Sequence, residues 1–175
     1  LQLSSRQFSL TELGVRLEPR DEAPERLAVM LARRDEVFLG IGHSLIKVKN
    51  DRIEETSLTG WVRRLAAAPL VLQLRLAVGF EDYGAAVIWD DLNGHEVANI
   101  AEGLERPELT FTLDGLLVAA DERELHVYST SNRNVSLRGR LAGPRRPLAG
   151  LIRGERPGEF AVLAADGELR VYRVE

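Results

Sequence analysis

Ile46-Lys47-Val48-Lys49 is the first of four short segments with one shared pattern; the others are Ala86-Val87-Ile88-Trp89, Leu125-His126-Val127-Tyr128 and Leu169-Arg170-Val171-Tyr172. The last residues of successive segments lie 40, 39 and 44 positions apart. Apolar residues occupy the first and third positions of every segment, and the second position is more often polar. A period of two is typical of a β-strand with one buried face. The segments therefore predict a repeat of about forty residues that is built from strands.

The rest of the repeat follows in phase with these segments. An apolar run that ends in small residues precedes each one, at residues 37–42, 74–79, 116–120 and 160–165. Turn residues separate run and segment, and Asp166-Gly167 is a strong hairpin signal. A further strand is predicted after the first three segments, at residues 52–58, 95–100 and 135–141, and leading strands at 27–32, 62–66, 109–113 and 148–152. Each unit is therefore predicted to be a four-stranded antiparallel sheet.

The last unit contains only three of its four strands. Residues 7–13 resemble the missing strand and are followed by Gly14, and Phe8-Ser9-Leu10 is similar to Val135-Ser136-Leu137 of the third unit. An N-terminal strand that joins the last sheet would cover an exposed sheet edge. We therefore expect residues 7–14 to complete the fourth unit.

The chain resembles a divergent WD40-like β-propeller over nearly all of its length. The resemblance rests on the repeat spacing and on Trp89-Asp90, a dipeptide that stands at the right place in its unit. It implies an all-β fold, a single β-propeller domain of about four four-stranded blades, with units at 27–60, 61–103, 104–143 and 144–175 plus 7–14. Three arrangements stay open: a four-bladed ring closed by the N-terminal strand, two copies in one eight-bladed ring, or part of a larger propeller.

Composition excludes several classes of protein. The chain has 175 residues, a formal net charge of -4 and no cysteine, which excludes disulfides and thiolate zinc sites. It contains no apolar run of the roughly 18 residues that a membrane span needs and no pattern of a secretory signal. We expect a cytoplasmic protein, of bacterial type by its resemblance. The mild acidity argues against a surface that binds nucleic acid throughout.

Motifs of catalysis and metal binding are missing from the sequence. It has no nucleophile elbow, phosphate loop or dinucleotide fingerprint. Its three histidines, His43, His95 and His126, lie in different units. The acidic turn that contains Asp90, Asp91, Asn93 and Glu96 is too short for a calcium loop. We therefore predict no enzyme, no catalytic residue, no metal and no cofactor.

Arginine is concentrated between residues 138 and 156, where Glu155 is the single acid. The turn Gly143-Pro144 would project Arg145 and Arg146 from the loop between the third and fourth units. Arg63 and Arg64 occupy the equivalent junction between the first and second units. Equivalent junctions lie on the same face of a propeller. The candidate partner-binding residues are Arg63, Arg64, Arg145, Arg146, Arg153 and Arg156.

The expected function is therefore protein–protein interaction, as a scaffold or sensor within a larger assembly. Other proteins are the expected partners, among them one with an acidic surface, and a homo-oligomer is compatible with the blade count. Two alternatives stay open. One is phosphate or nucleic-acid binding through the arginine-rich loops, and the other is a small-ligand-binding or enzymatic propeller that uses the central channel.

Overall fold

The computed structural model describes residues 28–33, 36–50, 52–69, 74–91, 94–131 and 133–174. Within these ranges the secondary structure consists of strands without a helix. The strands are β1 (Ala28–Arg33), β2 (Glu36–Ile41), β3 (Ser44–Lys49), β4 (Arg52–Ser57), β5 (Val62–Ala67), β6 (Leu74–Phe80), β7 (Tyr83–Asp91), β8 (Gly94–Glu105), β9 (Glu108–Phe111), β10 (Leu117–Ala120), β11 (Glu124–Ser129), β12 (Ser136–Ala142), β13 (Leu148–Arg153), β14 (Glu159–Ala164) and β15 (Leu169–Arg173).

The strands form four antiparallel sheets in chain order. Sheet 1 contains β1–β4, sheet 2 β5–β8, sheet 3 β9–β12 and sheet 4 β13–β15, and each strand pairs with its neighbours in sequence. The all-β prediction is confirmed. Residues 7–14, predicted to supply a fourth strand to sheet 4, lie outside the described residues, so that strand stays a prediction.

The hairpins between second and third strands have the turns that the sequence indicates. The β2–β3 register runs from Glu36 opposite Lys49 to Ile41 opposite Ser44. Gly42 then turns the chain with a φ of 57°, and Gly167 has a φ of 90° in the corresponding turn of sheet 4. Glycine adopts positive φ at little cost because it lacks a Cβ atom. These glycines therefore allow tight turns between strands that pair along their whole length.

The core consists of three apolar clusters, one at each boundary between consecutive sheets. Phe38 and Leu45 of sheet 1 pack with Leu76 and Phe80 of sheet 2. The second cluster joins sheets 2 and 3 and contains Ala77, Val87, Trp89, Phe111, Leu117 and Ala119. The third joins sheets 3 and 4 and contains Val118, Ala120, Leu125, Val127, Phe160 and Val162. Across the described part of the chain, none of these clusters joins sheet 4 to sheet 1.

Small residues lie where neighbouring sheets approach most closely. Ala77 and Ala119 are completely buried. A Cβ atom on Gly40 would collide with the side chain of Val62 and lie 2.9 Å from Cγ2 of Val29. Position 40 must therefore be glycine, because real Cβ atoms do not approach other heavy atoms so closely. The small residues at the ends of the apolar runs thus let adjacent sheets pack together.

The aromatic residues of the repeat pack between sheets, but not in the same direction. Trp89 and Tyr128 end equivalent segments, yet both belong to the cluster between sheets 2 and 3. Trp89 extends forward from sheet 2, and its Nε1–H donates to the Thr130 carbonyl oxygen at 3.3 Å. Tyr128 extends backward from sheet 3. The same position of the repeat therefore points to opposite faces in β7 and β11. This is possible because both faces of these strands are buried and both are apolar.

We predict that Gly40→Ala lowers the free energy of unfolding by about 1–3 kcal/mol, because the added methyl group overpacks the boundary between sheets 1 and 2. Urea denaturation checks this prediction. Gly139→Ala is the matched control, since a Cβ atom at Gly139 meets no atom within 4 Å. Equal stability of the two variants would contradict close packing at Gly40.

Candidate interaction surface

One end of the sheets carries both the hairpins between second and third strands and the connections between sheets. The hairpin turns are residues 42–43, 81–82, 121–123 and 165–168, and the connections are residues 58–61, 106–107 and 143–147. They share an end because the fourth strand of each antiparallel sheet returns to the level at which the third strand began. We call this end the junction face. All four sheets contribute loops to it.

Backbone hydrogen bonds tie the first connection to the hairpins on both sides. Leu58 N–H donates to the carbonyl oxygen of His43 in sheet 1, at 2.8 Å. The carbonyl oxygen of Trp61 accepts from Glu81 N–H in sheet 2, also at 2.8 Å. The connection is therefore held between two hairpins rather than projecting into solvent.

The other two connections repeat this arrangement. Between sheets 2 and 3, Arg106 N–H donates to the Asp82 carbonyl oxygen at 2.8 Å, and Asp121 accepts from Glu105 N–H at 3.0 Å. Between sheets 3 and 4, Gly143 N–H donates to the Arg123 carbonyl oxygen at 2.6 Å. Ala165 N–H donates to the Pro147 carbonyl oxygen at 2.8 Å. A continuous series of hydrogen bonds thus runs along the junction face, and we call it the junction belt.

Arg63 and Arg64 lie on the junction face and bind one buried carboxylate. Glu108 has a side-chain exposure of 8%, and its oxygens lie 3.0 Å from Arg63 Nη1 and 3.0 Å from Arg64 Nε. A second pair joins Arg106 to Glu81 at 2.7 Å. Charged groups with little solvent access need such partners. The first two candidate arginines therefore connect sheet 2 to sheet 3.

Arg145 and Arg146 also lie on the junction face, in the connection between sheets 3 and 4. Arg145 has a φ of 59°, and its N–H donates to the Glu122 carbonyl oxygen at 2.7 Å. Arg146 bonds to Asp166 and, at 3.2 Å, to Glu168. The pKa of Asp166 is lowered by the backbone N–H of Glu168 and by the charge of Arg146. Within the described ranges, no carboxylate lies within ion-pair distance of Arg145, which is exposed.

Arg153 and Arg156 lie at the opposite end of sheet 4. β13 begins beside the connection 143–147 and runs away from the junction face until Arg153, a path of about 17 Å at the usual rise of a strand. Arg156 follows in the next turn, and both residues are exposed. The structure therefore brings four of the six candidate arginines to the junction face and separates the other two from them.

The junction face contains a cavity of ≈ 320 Å³ between sheets 2, 3 and 4. Three guanidinium groups line it, those of Arg63, Arg106 and Arg123. Four carboxylates also line it, those of Glu105, Glu108, Asp121 and Glu122. The wall thus mixes both signs of charge and does not form a concentrated positive site.

A partly buried polar network was not recognised in the sequence. Glu124, His126 and Tyr128 alternate along one face of β11. His126 Nε2 lies 2.7 Å from Glu124 Oε2, and its Nδ1 lies 3.0 Å from the Tyr128 hydroxyl oxygen. Burial raises the pKa of Tyr128, although a hydrogen bond from the backbone of Ala101 acts in the opposite direction. The polar pattern at every second residue was the available signal.

This network lies in a groove of ≈ 680 Å³ between β8 and the outer strands of sheet 3. Two arginines, Arg123 and Arg140, and three carboxylates, Glu102, Asp121 and Glu124, line the groove. His43, in contrast, packs edge-on against Trp61 with ring centroids 5.5 Å apart. The side chains of His95, Asp90, Asp91, Asn93 and Glu96 lie outside the described set. Among the described residues, no three His, Cys, Asp or Glu side chains lie close enough together to hold a metal ion.

The contacts of Arg75 were not predicted from the sequence either. Its Nη1 donates to the Thr130 hydroxyl oxygen at 2.8 Å and to the Thr130 carbonyl oxygen at 3.1 Å. Burial lowers its pKa. This half-buried arginine lies within the apolar run 74–79, a position that requires polar partners. Arg75 therefore links sheets 2 and 3 at the end opposite the junction face.

Comparison with known proteins identifies the fold. No family model and no curated protein matches the chain. Among solved structures, it is similar to the β-propeller domain of Cps50 (Swd1) from Myceliophteria thermophila, with a TM-score of 0.68 and 14% identity, over 86% of this chain and 52% of that one. It is similar to BBS1N, solved in complex with ARL6DN, with a TM-score of 0.63 and 17% identity, over 90% and 53%.

A third similar structure is virginiamycin B lyase from Staphylococcus aureus, with a TM-score of 0.56 and 11% identity, over 87% of this chain and 57% of that one. The chain spans a little over half the length of these three structures. The fold is a β-propeller, as the resemblance implied. In the described part of the chain, no helix has the length and apolar character of a membrane span.

We predict that Glu108→Gln lowers the free energy of unfolding by about 1–3 kcal/mol, because two guanidinium groups lose a charged acceptor. Thermal and urea unfolding measure the loss. Glu102→Gln is the control, since Glu102 is exposed and should change stability by less than about 0.5 kcal/mol. A Glu108→Gln protein as stable as its control would show that the cluster does not join the sheets.

A second prediction concerns alkaline pH. The pKa of Tyr128 is raised above its ordinary value of 10.0 in the folded protein, so its contribution to stability is complete below pH 10 and is lost as the pH rises through the folded-state value. Urea denaturation between pH 9 and pH 11 should therefore show a smaller fall in stability for Tyr128→Phe than for the wild type. Tyr83→Phe, whose ring is 61% exposed, should retain the wild-type fall.

Proposed function

We propose that this chain is a protein–protein interaction module, a scaffold or sensor that binds its partner through the junction face. The junction belt supports this proposal most directly. It holds loops from all four sheets in one arrangement, so that a partner meets side chains that need little ordering on binding. BBS1N, a propeller of similar fold, was solved with another protein bound, which is an analogy at the level of the fold.

The proposed partner has an acidic surface that contacts Arg123 and Arg145. The side chain of Arg123 is 74% exposed, and its nearest carboxylate, Glu122, is 3.9 Å away. Arg145 is exposed in the adjoining connection. In contrast, Arg63, Arg64 and Arg146 bind carboxylates of this chain. Their role in the proposal is to hold the loops that present the guanidinium groups of Arg123 and Arg145.

Ligand binding in the groove of sheet 3 is a second candidate function. The observation in its favour is the position of Tyr128 and His126 in a groove that also contains Arg123 and Arg140. A small acidic molecule would suit those arginines. The four carboxylates around the other cavity disfavour a phosphate group there.

We propose in addition a subfamily, a domain organisation and a cellular location for the chain. The period of about forty residues and Trp89-Asp90 favour a WD40-like propeller, organised as one domain. A bacterial origin and a cytoplasmic location belong to the same proposal and rest on the sequence resemblance and on the lack of a signal pattern. No catalytic role is proposed for any residue.

The test compares two double variants with the wild type. Arg123→Glu/Arg145→Glu reverses charge on the junction face and should weaken the affinity for a captured partner at least about tenfold, because like charges then meet across the interface. Arg153→Glu/Arg156→Glu makes the same change of charge at the opposite end and should leave the affinity unchanged. Calorimetric titration of the partner measures both.

Circular dichroism should show the same fold in all three proteins, since exposed charges contribute little to stability. Equal affinity of the junction-face variant and the wild type would reject this surface. A selective loss in the Arg153→Glu/Arg156→Glu protein would assign binding to the opposite end. Binding of a small carboxylate or phosphate ester that depends on Arg140 and Tyr128 would favour the groove.

A further inference from the structure

Sheet 1 has an apolar face that points away from the rest of the described molecule. Its other face packs on sheet 2 through Phe38 and Leu45. Side chains alternate between the two faces along each strand. The residues adjacent in sequence to Phe38 and Leu45 therefore lie on the outer face, where the strand register aligns them in two rows across the sheet. The rows are Met30, Leu39, Ile46 and Glu55, and Ala32, Val37, Val48 and Ile53. Met30 is 72% exposed and Ile53 41%, whereas Ile46 within the first row is 6% exposed.

Sheet 4 has the corresponding face at the other end of the series. Phe160 and Val162 pack on sheet 3, so the alternate residues point outward. The register places Ile152, Ala161 and Val171 in one row and Gly150, Leu163 and Leu169 in the next. Ile152, Leu169 and Val171 are exposed by 50%, 56% and 65%. We call these two outer surfaces the end faces.

The end faces have the chemistry of a boundary between sheets. At the inner boundaries, residues of the same type, such as Leu117, Val118 and Phe160, are completely buried. A four-bladed ring closed by this chain alone would cover both outer surfaces, yet Met30, Leu169 and Val171 are exposed. Contiguous apolar surface on a folded protein is typical of an interface. The end faces therefore lack the sheet that each inner face has.

We propose that two copies of this chain close one eight-bladed ring, in which sheet 4 of each copy packs on sheet 1 of the other. A second copy carries both faces that are required, and a two-fold axis makes the two new boundaries identical. The number of sheets agrees with this assembly, because propellers have about four to eight blades and three copies would exceed that range.

Light scattering after size-exclusion chromatography tests the proposal on the 175-residue chain. The wild type should have twice the mass of the 19.5 kDa monomer. Met30→Glu alters one end face and Val171→Glu the other, and each should reduce the mass to that of one chain. Val97→Glu is the matched control, because Val97 is 42% exposed on β8 of sheet 2, away from both end faces. It should remain a dimer.

Mixing the two end-face variants separates a lost interface from a lost fold. In a mixed pair, the unaltered sheet 4 of the Met30→Glu chain can meet the unaltered sheet 1 of the Val171→Glu chain. The mixture should therefore recover dimer that neither variant forms alone. Recovery would show that both variants are folded and that the end faces bind each other.

Three outcomes would overturn the proposal. A wild-type monomer at every concentration would exclude the two-copy ring, and dimerisation only after deletion of residues 1–27 would show that these residues prevent the assembly. Assemblies of more than two copies would show that the contact between copies does not close a ring of two chains. A dimer that persists in both end-face variants would use another surface. None of these results bears on partner binding at the junction face, which is tested separately.

Discussion

The close approach of neighbouring sheets is the constraint on which the rest of the structure depends. Gly40 has no room for a Cβ atom, and Ala77 and Ala119 are completely buried. Larger apolar residues such as Trp89 and Phe111 pack beside the alanines in the cluster between sheets 2 and 3. Charged groups are consequently confined to strand ends, outer strands and loops, or are paired across a boundary as Glu108 is. The candidate interaction surface is thus formed by the ends of the sheets.

The junction belt determines how those loops can act. Their backbone groups are used in hydrogen bonds between sheets, so the side chains are presented from a framework that the core supports. Two of these side chains are also structural. Arg63 pairs with Glu108 of the next sheet, and Arg146 pairs with Glu168 of the hairpin turn in sheet 4. Exposed arginines on this face that pair with a carboxylate of another strand or loop hold parts of the chain together. Arg123 and Arg145 have no such pair among the described residues and are the ones proposed to contact a partner.

The sequence predicted the strands well because each signal is local. Alternation in Leu125-His126-Val127-Tyr128 and the turn at Asp166-Gly167 require only neighbouring residues. Partners across a boundary could not be predicted in this way, since Glu108 is 44 positions from Arg64. Nor could the direction in which Trp89 and Tyr128 point, because both faces of a buried strand are apolar and the pattern does not distinguish them. The separation of Arg153 from Arg145 depends on the course of β13, which runs from one end of the sheet to the other.

A serial arrangement of sheets also determines how the molecule opens. Each inner sheet is held by apolar clusters on both faces, whereas sheets 1 and 4 each have one such cluster in the described part of the chain. In structures built from neighbour-to-neighbour contacts, local stability decreases toward the ends. Amide hydrogens of β6, β7 and β10 should therefore exchange more slowly than those of β1 and β15, and opening should begin at the outer sheets and proceed inward. An assembly that covers the end faces would make protection uniform along the series, so the exchange pattern itself reports whether the outer sheets have neighbours.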